Sequence, residues 1–349
     1  MGTAIAPKGG LTVSEPPDLG SPEAVGRMAQ LRATLLRRKW LVVWAIGVVI
    51  YEASFHMPLE RAPVFAIIAC GLVAASAGSK GVWARVVIDW FPFFVVLYVY
   101  DRLRGVADTL FTPHVNPQIE FDRFIFGGIP TVQLQHALYT PGTAHVWDYL
   151  AFFTYMSHFI VPIGVAAVLW KVAHDKFRRY VFLFVTLTLA SFATYVLYPA
   201  VPPWLASRNG IIPPTAKIID DMWVHVGLKS GAEVFSATSH LANPVAAVPS
   251  LHTAYPVLIM LFFWSAAGRK RWLLPLYPLA MSFTLIYTSE HFFFDIALGW
   301  LYGFAVYFIG SKVYDAYVAR RTSMPSTVAT RRQFPWVRNR EKAGTVAGG

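Results

Sequence analysis

Two short segments hold the residues best suited to chemistry. One is Ala247-Val248-Pro249-Ser250-Leu251-His252-Thr253; the other is Tyr287-Thr288-Ser289-Glu290-His291-Phe292-Phe293-Phe294-Asp295. Each stands just before or at the opening of an apolar run, as a helix N-terminus does. His291 and Asp295 are four apart, so on a helix they share one face and the carboxylate can bond one imidazole nitrogen. Such a bond fixes the tautomer, raises the basicity of the other nitrogen and stabilises a cationic or phosphorylated ring. Ser250 is placed to cap the helix that presents His252. Two helix N-termini aimed at one point favour an anion, because unpaired N–H groups and both dipoles attract negative charge.

The elements that position these residues are read from the apolar runs. The 349 residues are 56% hydrophobic and 14% charged, with a mean hydropathy of +0.47, against about 25% charged in soluble domains. Runs near the roughly 20 residues needed to cross a bilayer recur at about 40–55, 62–78, 82–100, 147–170, 180–198, 252–267, 272–288 and 291–312. The expected fold is therefore all-α, a polytopic transmembrane bundle of about eight spans. Residues 1–39 and 313–349 are expected as basic cytoplasmic tails, the first disordered, around an integral membrane domain over 40–312 whose catalytic core spans about 147–312. The stretch 101–146 mixes Phe124, Ile125, Phe126, Leu134 and Leu138 with polar residues and suggests interfacial helices; 199–249 is Pro-rich and irregular. No cleavable signal segment is expected, since the first apolar run begins at Trp40 after Arg37-Arg38-Lys39 and should remain as an anchor.

Charge gives the orientation. Net charge is +11, with six Lys/Arg against three acids over 1–39 and seven against one over 318–349. Basic tails beside apolar helices read as anchors facing anionic lipid, and nucleic acid is not an expected partner. With the N-terminus inside, Lys80, the Lys171–Arg179 cluster and Arg269-Lys270-Arg271 all fall in inner loops. Both termini are then cytoplasmic, and the two histidine segments face the exterior of what is expected to be a bacterial plasma membrane. The single cysteine, Cys70, excludes an internal disulfide and a Cys-based metal cluster.

Pro249-Ser250-Leu251-His252, followed about forty residues later by His291-x-x-x-Asp295, resembles the type 2 phosphatidic acid phosphatase (PAP2) superfamily. Tyr198-Pro199-Ala200-Val201-Pro202-Pro203-Trp204 and Ser157-His158-Phe159-Ile160-Val161-Pro162 look more specifically like its inositol phosphorylceramide synthase branch; the resemblance covers roughly residues 90–312. It implies that His291 is the nucleophile and forms a phosphohistidine, that Asp295 orients it, and that His252 protonates the leaving oxygen. Neither a cofactor nor a metal is expected.

Leu251 stands where the phosphatases have glycine, and Leu285 where they have an arginine six residues before the nucleophile. The latter absence is shared with the synthase branch, and no Lys-x6-Arg-Pro motif is present. Charge neutralisation must come from elsewhere, with Arg102, Arg104, Arg208 and Lys217 as exterior candidates. Asn243 is a candidate for bonding the site loop, and Trp204 for packing on a head group or sitting in the interfacial aromatic belt. His158 and His240 read as structural or supporting residues, and Arg85 with Asp89 as a buried ion pair. The function expected is transfer of a phosphorylated head group, phosphoinositol being one option, from a phospholipid donor to a lipid hydroxyl. The alternatives are a lipid phosphate phosphatase, in which water is the second nucleophile, and a non-enzymatic lipid transporter. A metal site would use His291, Asp295 and His252 as three ligands.

Overall fold

The computed structural model describes residues 22–55, 61–76, 84–91, 94, 95, 98, 111–227 and 244–323. The chain divides into two compact units, Met1–Pro58 with Pro63–Pro92, and Leu59–Ala62 with Phe93–Gly349. Among the described residues the fold is all-helical, with isolated bridges and no strands.

The first unit holds α1 (Pro22–Phe55) and α2 (Arg61–Ala75). The Trp44 indole donates to the Ile67 carbonyl at 2.8 Å. A Cβ on Gly71 would lie 3.0 Å from that indole, so the glycine sets how closely the two helices approach. α1 corrects one expectation: the segment read as a disordered tail to residue 39 is helical from Pro22 onward. Residues 22–39 hold four Arg, three Leu and three Ala, all strong helix formers, and proline is well tolerated in a first turn.

The second unit contains α3 (Asn116–Phe126), α4 (Pro130–Leu138), α5 (Val146–Val172), α6 (His174–Leu197), α7 (Pro203–Arg208), α8 (Ile218–His225), α9 (Leu251–Phe263), α10 (Leu276–Tyr287), α11 (Phe293–Ala305) and α12 (Ser311–Thr322). A 3-10 turn, Gly268–Leu273, precedes α10, and a π turn, Val306–Gly310, joins α11 to α12. α9 is the central helix, packed on α5, α6, α10 and α11; beyond its first turn it is apolar, and nine of its thirteen residues are buried. α11 meets it through Gly299 and Gly303. A Cβ on Gly299 would lie 2.4 Å from both the Ser250 carbonyl oxygen and Thr253 Oγ1, and one on Gly303 would lie 2.9 Å from Val257 Cγ1. This is the small-residue stripe that lets membrane helices touch backbone to backbone.

Among the described residues three helices, against the eight spans expected, are long and apolar enough to cross a membrane: Val146–Val172, His174–Leu197 and the continuous Phe293–Thr322. α9 and the Ala66–Ala75 part of α2 are apolar but shorter. Thirteen residues give α9 about 20 Å, less than the hydrocarbon thickness of about 30 Å. The first residues of the expected C-terminal tail are helical, since α12 continues the last helix to Thr322 against α6.

The expected irregular stretch after α6 holds α7 and α8. It is pinned by parallel bridges of Ala200 to His114 and to Ala246. The Ala200 N–H donates to Val245 O at 2.6 Å and the Val201 N–H to His114 O at 2.8 Å. The start of α6 and the ends of α5, α9 and α12 lie at one end of the bundle. The starts of α9 and α11 lie at the other, with α3, α4, α7 and α8 around them.

Candidate active site

His252, on the first turn of α9, and His291, in the loop just before α11, meet at this second end, with ring centroids 5.6 Å apart. His291 Nδ1 lies 3.2 Å from Asp295 Oδ2, with the histidine nearly and the aspartate fully buried. The expected pairing is present, but the local geometry differs from four residues along one helix. α11 starts only at Phe293; His291 precedes it, and Asp295 Oδ2 also accepts the Phe292 N–H at 3.1 Å. The carboxylate thus closes the helix N-terminus and holds the imidazole with one oxygen atom. A backbone bond from Ser250 N to Asp295 O, 3.0 Å, ties the two motifs together.

Ser250 occupies the N-cap position of α9, but its hydroxyl does not cap the helix, contrary to expectation. Its carbonyl oxygen instead accepts from the Thr253 hydroxyl and the Thr253 and Ala254 N–H groups. The Ser250 hydroxyl is fully buried and makes no hydrogen bond among the described residues. The His252 ring is stacked between aromatic neighbours of α5, 3.9 Å from the His158 centroid and 5.0 Å from that of Tyr155. His158 therefore supports the ring of His252.

Four positioning groups were not read from the sequence. Asp122, fully buried on α3, accepts the Phe293 N–H on Oδ2 and the Phe294 N–H on Oδ1, both at 3.0 Å. It thereby satisfies two of the unpaired donors at the start of α11. Burial pushes its carboxyl up to about 6, the two N–H groups pull it down, and Asp295 raises it further. The sequence carried a signal: Gln118, Ile119 and Asp122 fall on one helical face, and an acid on the buried face of an amphipathic helix needs a partner. Gln135 of α4 donates to the Tyr287 and Ala216 carbonyls and accepts the Ala216 N–H, each at 2.8 Å. Asp148, in the first turn of α5, accepts the Tyr287 hydroxyl. Ser289 takes the left-handed conformation, φ 67°. It ends α10 in a Schellman turn, with its N–H on Ile286 O and the Glu290 N–H on Leu285 O.

The substrate-binding candidates divide. The Trp204 N–H donates to Ser289 O at 3.0 Å. Lys217 Nζ lies 5.1 Å over the Trp204 ring and 3.2 Å from Asp220. Its charge acts on Glu290, the buried neighbour of His291, whose carboxyl is raised by burial, lowered by Lys217, raised by Asp220 and lowered by His291. Trp204 and Lys217 are thus joined to the site loop. Arg208 is exposed at the C-terminal end of α7. Arg102, Arg104, Asn243 and His240 lie outside the described residues. Arg85 is exposed and Asp89 half-buried. No group of three or more His, Cys, Asp or Glu side chains among the described residues is placed to hold a metal ion.

The family model of the PAP2 superfamily matches residues 121–309. The chain belongs to the PAP2 superfamily. The match begins one residue before Asp122 and takes in both histidine motifs. The chain is also similar to a phosphoinositol dihydroceramide synthase of Bacteroides thetaiotaomicron, with 29% identity over 233 residues, 62% of this chain and 73% of the relative. No solved structure matches. The protein is an integral membrane enzyme of the lipid phosphotransferase or phosphatase type.

Proposed function

We propose that this PAP2 enzyme moves a phosphorylated head group, phosphoinositol by analogy with its relative, from a phospholipid to a lipid hydroxyl on the exterior face of a bacterial plasma membrane. The observation that carries the reading is the His291–Asp295 pair at 3.2 Å with the His252 ring 5.6 Å away. Asp295 holds the proton on His291 Nδ1, leaving Nε2 as the nucleophile. Nε2 attacks phosphorus, the bond to the diacylglycerol oxygen breaks, and His252 gives that oxygen its proton. The acceptor hydroxyl then attacks the phosphohistidine, returns a proton to His252, and the phosphorus–nitrogen bond breaks. Ser250 Oγ, Lys217 and the first N–H groups of α9 supply donors and positive charge for the phosphate oxygens. Trp204 packs on the head group, and α3 and α4 lie at the interface beside it.

Purified protein in nanodiscs, with chelator, is given a labelled inositol phospholipid with and without a lipid alcohol. Head-group transfer that requires the acceptor, vanishes in His291→Ala and falls on the order of 10²–10⁴-fold in Asp295→Asn is expected. Phosphate release from a lipid phosphomonoester without an acceptor would replace this reading with a phosphatase. Activity surviving His291→Ala would end the phosphohistidine mechanism.

A further inference from the structure

The end of the bundle remote from the histidines contains a cavity of about 770 Å³ between the first turns of α6 and the last turns of α12. Lys176, Arg178 and Arg179 line it from one side and Arg321 from the other, and Asp175 is the one acid in the lining. Asp315 holds Arg179 at 3.3 Å, and Arg321 donates to the Tyr317 hydroxyl at 3.2 Å, so two of the cationic heads have fixed partners. Basic residues scattered round a helix rim would meet the charge bias of an inner loop. Here four cationic side chains face one another across a concavity with Asp175 and Asp315 beside them, which leaves a net positive charge that favours an anion. The N-terminal turn of α6 adds its positive dipole end.

Tyr314, Tyr317 and Val318 line the same cavity. A charged mouth beside an apolar and aromatic wall matches an amphiphile. His252 opens the 13-residue α9, and Phe262 at its far end packs on Tyr180, next to Arg179, with ring centroids 5.3 Å apart, so this cavity lies roughly 20 Å along the bundle from the histidines. We infer that this basic cavity binds the phosphate-bearing head group of an anionic phospholipid from the leaflet opposite the active site, clamping α12 to α6. The inference is independent of the reaction the histidines perform.

The test uses the full-length protein in detergent, with phosphatidylglycerol or phosphatidylcholine added and retained lipid read by native mass spectrometry. Wild type should hold phosphatidylglycerol with higher occupancy than phosphatidylcholine. A Lys176→Gln/Arg178→Gln/Arg321→Gln variant should hold it at least roughly tenfold more weakly. Arg178→Lys/Arg321→Lys, which keeps the charge, should retain most of the binding. Raising salt on wild type alone should release the lipid, which tests the charge dependence without any variant. Phosphatidylglycerol should raise the melting temperature of wild type and not that of the Gln variant. Equal retention by wild type and the Gln variant, or equal retention of the two lipids by wild type, would overturn the site. Inorganic phosphate that displaces the lipid and stabilises the protein equally well would make it a free-anion site and overturn the lipid assignment.

Discussion

His291 reaches the site through a residue held in an unusual conformation two positions earlier. Ser289 is left-handed, and its hydroxyl lies 2.9 Å from the Thr215 hydroxyl while its carbonyl accepts from Trp204. A left-handed non-glycine residue costs about 1–2 kcal/mol, and the surrounding bonds over-determine it. Ser289→Ala keeps the strain and loses the hydroxyl bond, whereas Ser289→Gly loses the bond and relieves the strain. The alanine variant should therefore be less stable than the glycine variant by about 1 kcal/mol, measured by thermal unfolding in detergent; the reverse order would show that φ does not matter here. At this scale the sequence was informative about chemistry and silent about conformation. The spacing of His291 and Asp295 survives any helix start nearby, so their pairing was legible. The turn that delivers them was not, because serine carries no mark of a positive φ. Ser250 was misread for a related reason: a residue in an N-cap position can leave the capping to its backbone.

Asp122 and the glycine seam act on whole helices. The Asp122 carboxyl, ordinarily near 3.8, sits at about 6 when folded, so the folded protein holds this proton more tightly than the unfolded chain. The associated stabilisation is complete below 3.8 and is lost as pH rises through 6, on the order of 3 kcal/mol. Melting curves of wild type should shift upward from pH 7 to pH 5, and Asp122→Asn should flatten that shift. Asparagine accepts with one oxygen and turns an amide donor toward the other N–H, leaving a buried donor unpaired at a cost of about 1–3 kcal/mol. Because Asp122 acts through α11, kcat in the variant should fall roughly tenfold with KM little changed; a rise in KM alone would point to substrate contact instead. Gly299→Ala places a methyl group against the Ser250 carbonyl, so α9 must move. A stability loss of about 1–3 kcal/mol with a larger fractional loss of transfer activity is expected from paired unfolding and activity assays. Both features were present in the sequence as an acid on an apolar helical face and as Gly-x-x-x-Gly. Each gains meaning only from the partner helix, which local periodicity does not name.

For the whole molecule, the long apolar runs and basic clusters were the most legible features, because bilayer thickness and charge bias act on sequence directly. The long helices over 146–172, 174–197 and 293–322 coincide with expected runs. The tails were less legible, since helix-forming composition extends α1 and α12 past the end of the apolar pattern. With Cys70→Ser as background, Thr143→Cys, exposed near the histidine end, should react with an impermeant maleimide on intact cells. Lys270→Cys, exposed at the other end, should react only after permeabilisation; the opposite labelling would invert the proposed topology. Gly299 and Gly303 leave no room for a methyl group between α9 and α11. A host membrane deforms a protein mainly by tilting its helices against one another, and these two can tilt only together. A cell that shortens or lengthens its acyl chains with temperature would then change how quickly lipids enter the site, while the distance between the reacting imidazoles stays the same.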